Sequence, residues 1–327
     1  MKYLSVCSGI EAATVAWHPL GWQAVAFGEI EKFPSQVLAH HYPDTPNWGD
    51  MTKFKEWPDA DVNVFVGGTP CQSFSVAGLR KGLDDTRGNL MLTYLAIAAR
   101  YRPEWLVWEN VPGVLSSTGG LDFASLLRGM GELGYGFAYR ILDAQYFGVA
   151  QRRRRVFVVG YLGDWRPAAA VLFERHSLQG HPAPSREKGQ RPTASTSASP
   201  VYGGSDPNTS DTVTSKWAKG SGGPAGNECG LFVAQPIAFS GQMSNPQTDV
   251  DIEGVAIQAM AVRRLTPKEC ERLQGFPDNY TDIQPKGKPT PDGPRYKTLG
   301  NSMAVPVMAW IGKRIQEVDA ICQTQKQ

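Results

Sequence analysis

A cysteine that follows a proline at the end of an apolar run is the residue of this chain best placed for covalent chemistry. It is Cys71, in the stretch Gly67-Gly68-Thr69-Pro70-Cys71-Gln72-Ser73-Phe74-Ser75. A thiol there is held rigidly at a sheet edge, and as a thiolate it is a nucleophile. Taken alone, a cysteine is more often a small buried hydrophobe. Glu109, followed by Asn110, closes the apolar run Trp105–Trp108 and offers a carboxyl group for proton transfer. The run Gln151-Arg152-Arg153-Arg154-Arg155 concentrates positive charge that can stabilise a developing anion or meet phosphate. Ser8-Gly9-Ile10 follows the first apolar run and opens a helical pattern, which lets backbone approach a ligand closely. Each of these has an ordinary alternative: a solvated Glu, a solvated basic face, a connecting turn. Only their joint occurrence moves the balance.

The elements that must position these groups follow from periodicity. Lys2 to Cys7, Ala24 to Phe27, Val62 to Val66, Trp105 to Trp108 and Val156 to Val159 are expected strands. Between them, Ile10, Ala13, Trp17 and Leu20 recur at helical spacing, as do Leu90, Tyr94, Ile97 and Tyr101. Phe123, Leu126, Met130 and Leu133 do the same, with Gly134 placed to cap. Strand–helix alternation predicts an α/β domain with a parallel sheet covered on both faces. Ligands of such sheets bind at the carboxyl ends of the strands, where the residues above fall. From Pro182 to Gly230 the chain is rich in Gly, Ser, Thr, Pro and Asn, so that stretch is expected to be loop-rich. Order returns at Arg263. Thr266, Pro267 and Glu269 form a helix start with a capping box, Leu265 and Cys270 are candidates for its hydrophobic staple, and Gly275 ends it. A last helix is expected from about Val305 to Val318.

Composition sets bounds. The chain has 327 residues, 41% hydrophobic and 20% charged, which suits a globular protein of about two domains. Its net charge of +2 means that any nucleic-acid surface must be a local cluster of basic residues. No run of about eighteen apolar residues predicts a membrane span, and the polar N-terminus predicts no signal peptide. Five cysteines at wide spacing, without a CxxC pair, predict neither a disulfide framework nor a zinc site. A cytoplasmic protein without a metal is the expectation.

The motifs together resemble the DNA (cytosine-5)-methyltransferase family, in texture its phage and prophage members. The Gly-Gly-x-Pro-Cys-Gln-x-Phe-Ser run is similar to that family's nucleophile loop. Glu109-Asn110-Val111, Gln151 to Arg155, Arg264 to Pro267 with Arg272 to Pro277, and Gly300-Asn301-Ser302 with Val305-Pro306 match its later motifs in order. The resemblance covers about residues 1–165 and 262–320. It implies a doubly wound, Rossmann-like, S-adenosylmethionine-dependent methyltransferase domain and a smaller, loop-rich target-recognition domain. The expected division is 1–164 for the catalytic domain, 165–290 for target recognition with a variable part at 165–260, and 291–327 returning to the catalytic domain. Where the family carries an aromatic and two glycines, this chain has Cys7, Glu11 and Ala12.

The resemblance also implies roles. Cys71 adds to carbon 6 of a flipped-out cytosine, Glu109 serves its N3, Asn110 fixes the acid loop, and Arg153 or Arg155 stabilises charge at O2. Donor contacts are implied at Ser8, Gly9, Ile10, Glu29, Ile30, Asp50, Met51, Gly68, Pro70, Leu90, Asn301, Ser302 and Val305. DNA contacts are implied at Gln72, Ser73, Ser75, Arg80, Lys81, Arg87, Gln151, Arg152, Arg154 and Arg263. The loop from Gln72 to about Arg87 is an expected lid. Double-stranded DNA is the expected partner of a monomer acting without an obligatory protein partner in a bacterial or phage-infected cell.

Three other readings are weaker. An RNA (tRNA) methyltransferase of the same chemistry would carry a Cys-Phe-Thr segment, which is not found here. A catalytically silent DNA-binding relative would be expected to have lost Cys71 or Glu109. A nicotinamide enzyme would have G-x-G-x-x-G in the first turn.

Overall fold

A computed structural model describes residues 1–70, 90–173, 232–237 and 259–326; for 232–237, 259–263, 286, 325 and 326 it describes the backbone alone. Six strands form one sheet: β1 (Lys2–Val6), β2 (Gln23–Gly28), β3 (Val64–Gly67), β4 (Trp105–Asn110), β5 (Tyr135–Asp143) and β6 (Arg154–Leu162). Their order across the sheet is β2-β1-β3-β4-β6-β5. Helices α1 (Ala12–Trp17), α2 (Lys32–His41), α3 (Leu90–Tyr101), α4 (Leu121–Glu132) and α5 (Arg166–Leu172) connect or follow the strands. The expectation of a wholly parallel sheet is corrected at one strand. β1 to β4 pair in parallel, but β6 runs antiparallel to both β4 and β5. The connection 144–153 between β5 and β6 is too short for a parallel crossover, which needs about a dozen residues or more.

Side chains alternate across each strand, and the two faces build two cores. Tyr3, Val64, Val66, Trp105, Val107, Phe157 and Val159 enter one. Leu4, Val6, Phe65, Leu106, Trp108, Val156 and Val158 enter the other, under residues of α3 and α4. Burial of each such side chain is worth about 1.5–3 kcal/mol.

The C-terminal part contributes α6 (Pro267–Gln274), α7 (Asp292–Asn301) and α8 (Val305–Lys326). The capping box forms as read: Glu269 N–H donates to Thr266 Oγ1 at 3.3 Å and Thr266 N–H to Glu269 Oε2 at 2.7 Å. Leu265 and Cys270 are both buried in the first core. The last helix continues beyond Val318 to Lys326. It lies against α1, where Trp17 Nε1 donates to the Met308 carbonyl at 2.8 Å. Gly312 permits that approach, since a Cβ there would fall 2.3 Å from Trp17 Nε1. Two further strands, β7 (Phe232–Ile237) and β8 (Ala259–Arg264), pair antiparallel beyond the stretch 182–230 expected to be loop-rich. Among the described residues no helix is long and apolar enough to cross a membrane.

Candidate active site

β1 lies between β2 and β3, so the chain order reverses there, and such a switch point opens a crevice at the carboxyl ends of the strands. A cavity occupies it. Ser5 and Val6 come from β1, Ser8, Gly9 and Glu11 from the turn beyond, Gly68 from the exit of β3, Glu109 from β4, and Asn301, Ser302 and Met303 from the end of α7. Gly9 has a φ of +56°, a conformation glycine adopts without strain. Its N–H donates to Glu29 Oε2 at 2.7 Å, while Glu31 N–H donates to Glu29 Oε1 at 2.7 Å. A carboxylate accepts about four hydrogen bonds, so Glu29 keeps acceptor capacity for a ligand hydroxyl. Burial raises its pKa, against the pull of these backbone donors. Cys7, beside it, is pushed up to about 12 by burial and by Glu29, which keeps it a thiol at neutral pH.

Glu109 closes the cavity on the β4 side. Gly68 leaves it room: a Cβ on that glycine would sit 3.0 Å from Glu109 Oε2. Burial raises the pKa of Glu109, and the positive charges of Arg155 and Arg153 oppose that rise. Arg155 Nε lies 3.1 Å from Glu109 Oε1. The reversed direction of β6 makes this pair possible. Asn110 stands opposite Val156 in the register, so Arg155 falls just beyond the carboxyl end of β4.

Asn110 holds the strand exit that leads to Cys71. Its Nδ2 donates to the Thr69 carbonyl at 2.9 Å, and its Oδ1 accepts from Val111 N–H at 2.8 Å. Trp108 Nε1 donates to Thr69 Oγ1 at 3.0 Å. Thr69 was not singled out from sequence, yet two side chains of β4 fix it two residues before the cysteine.

The arginine run divides by alternation. Arg152 and Arg154 are exposed, whereas Gln151 and Arg153 are buried. Gln151, an expected DNA contact, is buried, and its Nε2 donates to the Leu273 carbonyl at 2.9 Å. Arg153 donates through one nitrogen to the carbonyls of Ser302, at 2.6 Å, and Gly300, at 3.1 Å. It thereby fixes the loop that lines the far wall of the cavity. Of the two arginines considered for O2, Arg155 is the one paired with Glu109.

Other expected donor residues fall in different places. Ser8, Gly9, Gly68, Asn301 and Ser302 line the cavity, and Glu29 holds its turn. The Ile10 side chain is wholly buried in the core, and its carbonyl accepts from Tyr280 Oη at 2.9 Å. Val305 packs beside Gly275 rather than on the cavity wall. Ile30 is 72% exposed, at the rim beside Glu29. Asp50 caps the turn at Met51, accepting from Thr52 N–H at 2.9 Å. Met51 is buried against Cys7, with sulfur atoms 3.5 Å apart. Pro70 is exposed and Leu90 begins α3; neither lines the cavity. Cys71, Gln72, Ser73, Ser75, Arg80, Lys81 and Arg87 lie outside the described residues, as does the expected lid, and for Arg263 only the backbone is described. Among the described residues no group of three or more His, Cys, Asp or Glu could hold a metal.

A mixed sheet flanked by helices, with an acidic cavity at its switch point, is the Rossmann-like fold of S-adenosylmethionine-dependent methyltransferases. The Dnmt2 methyltransferase of S. pombe shares it, with a TM-score of 0.65 at 18% identity over 98% of this chain and 99% of its own. The family model described as C-5 cytosine-specific DNA methylase matches residues 1–218 and 210–317, and the chain belongs to that family of methyltransferase enzymes. The Type II methyltransferase M.SsoII of Shigella sonnei is 30% identical, over 96% of this chain and 79% of its own length. A protein of Escherichia phage P1 named DNA N-6-adenine-methyltransferase is 35% identical over 99% of this chain, and the chain spans 62% of that protein's length.

Proposed function

We propose that this chain transfers a methyl group to carbon 5 of a flipped-out cytosine in a specific duplex DNA site. The pairing of Glu109 with Arg155 at the cavity edge, with Asn110 tied to the strand exit before Cys71, carries this reading. Cytosine carbon 5 is a poor nucleophile. Addition of the Cys71 thiolate to carbon 6 makes an enamine whose carbon 5 can accept a methyl group. Glu109, whose pKa burial raises against the pull of Arg155, is placed to share or donate a proton at N3 as negative charge builds on the ring. Arg155 faces the same charge and stabilises it at O2. Loss of the carbon 5 proton to a base, for which a water suffices, then expels the thiolate.

The cavity residues fit S-adenosylmethionine: Glu29 offers acceptors for ribose hydroxyls, and the Gly9 turn lets the backbone approach closely. When bound, that donor supplies a methyl group on a cationic sulfur. Arg152 and Arg154 face solvent and suit phosphate contact, which offsets the cost of base flipping, a few kcal/mol. The half-buried Asp50 and the exposed rim residue Ile30 suit the adenine end of the donor.

The division into a catalytic part at 1–164, a target-recognition part at 165–290 and a returning segment at 291–327 belongs to this proposal. Cytosine capture and donor binding are the same for every site, so discrimination is left to the variable part at 165–260. Each good bidentate base contact there is worth about 1–3 kcal/mol. The chain acts in this reading as a monomer in the cytoplasm of a bacterial or phage-infected cell.

Nucleoside mass spectrometry and bisulfite sequencing of plasmid DNA from cells expressing the chain test the reading. 5-Methylcytosine at one sequence, lost in Cys71→Ser, is expected. N6-methyladenine that persists in Cys71→Ser would instead extend the phage P1 relative's name to this chain and overturn the cytosine mechanism.

A further inference from the structure

Glu11 caps α1 with a carboxyl group, a charge that a helix cap does not require. It precedes α1 with a φ of +61°, a strained conformation for a non-glycine residue, and is 1% exposed. Its carboxylate accepts from Thr14 Oγ1 at 2.6 Å, from Thr14 N–H at 3.2 Å and from Ser5 Oγ. All three donors are neutral. The other carboxylates nearby are balanced differently: Glu109 by Arg155, Glu31 by Lys297, and Glu29 by backbone N–H groups. Among the described residues Glu11 takes part in no ion pair, yet it lines the cavity. An uncharged acceptor would cap α1 as well. Burying a carboxylate without a countercharge is costly, and a bound cation removes that cost.

We propose that Glu11 supplies the countercharge for the cationic methyl donor, so that the cavity holds the sulfonium form in preference to the neutral thioether product. This rests on the cavity being the donor site proposed above. Methyl transfer removes one positive charge from the ligand, and the attraction of Glu11 for it falls at that moment. Glu11 is thus a positioning and specificity residue that favours exchange of spent for fresh donor.

Calorimetry on the full chain tests this with three probes: S-adenosylmethionine, S-adenosylhomocysteine, and sinefungin, which carries an amine in place of the sulfonium. Wild type should bind the two cations more tightly than the neutral thioether. Glu11→Gln keeps the size and the capping oxygen; it should lose about tenfold in affinity for both cations and under about twofold for S-adenosylhomocysteine. Glu11→Gly, which suits the positive φ, should narrow the ratio of the two affinities in the same way, and circular dichroism checks that both variants fold. Equal losses for all three ligands would make Glu11 a structural cap and overturn the proposal, as would no loss at all. Failure of wild type to bind any of the three would overturn the donor site itself, and this inference with it.

Discussion

Arg155 and Glu109 meet at 3.1 Å with side chains only 16% and 11% exposed, so each shields the other from the cost of burial. Breaking such a pair from one side is worse than removing both charges. Arg155→Met should destabilise the protein by about 3 kcal/mol in urea unfolding, and adding Glu109→Gln should recover most of that loss. Glu109→Gln alone should lower kcat by roughly 10²–10⁴-fold, the usual span for an acid–base group. Equal stability of the single Arg155→Met and the double variant would show that the pair is not coupled.

Asn110 reaches back to the Thr69 carbonyl, two residues before the nucleophile. Asn110→Ala should therefore misplace Cys71 while leaving the donor cavity intact. Single-turnover methyl transfer should slow about 10²-fold, the effect of an ångström-scale misplacement. Donor affinity by calorimetry should be unchanged; a parallel loss of donor binding would mean that Asn110 supports the whole strand end instead.

Arg152 and Arg154 point outward from a segment whose alternate residues are buried. If both meet phosphate, Arg152→Gln with Arg154→Gln should flatten the slope of log affinity against log salt by about 2. Fluorescence anisotropy on duplex DNA over a salt series reads this directly. An unchanged slope would remove both from the interface.

Burial raises the pKa of Glu11. A carboxyl with a raised folded pKa contributes its stability below the unfolded pKa and loses it as pH rises through the folded value. Glutamine does not titrate. Glu11→Gln should therefore gain melting temperature relative to wild type as pH rises from 5 to 8, with each kcal/mol worth about 2–4 °C. The groups facing Glu11 are Tyr3, Tyr42 and Tyr280, all pushed up by burial and none titrating in this window. An advantage that stays constant with pH would mean that Glu11 is already ionised throughout.

The strands of the first half, the turn at Gly9 and the capping box at Thr266 were legible because local pattern and tertiary environment agree there. β5 was not: Gly136 and Arg140 interrupt its apolar pattern, and only pairing along the whole of β6 makes it a strand. The reversal of β6 was legible only in the shortness of the connection at 144–153. Among the arginines, composition suggested one solvated face. The two-residue period of an extended chain, which buries Gln151 and Arg153 and exposes Arg152 and Arg154, would have separated them. Glu11 stood out only as a departure from a glycine; its burial and neutral partners come from Ser5 and Thr14 closing around it.

The hydrogen bond from Trp17 to the Met308 carbonyl spans 291 positions of sequence. During synthesis at about 5–20 residues per second, Trp17 emerges roughly 15–60 s before its acceptor exists. For that interval α1 has no α8 to lie on, and the edge of the indole that Gly312 later accommodates remains uncovered. Completion of the N-terminal edge of the core is thus among the last events of folding, and slowing translation after residue 173 would lengthen the period in which a holdase chaperone can bind it.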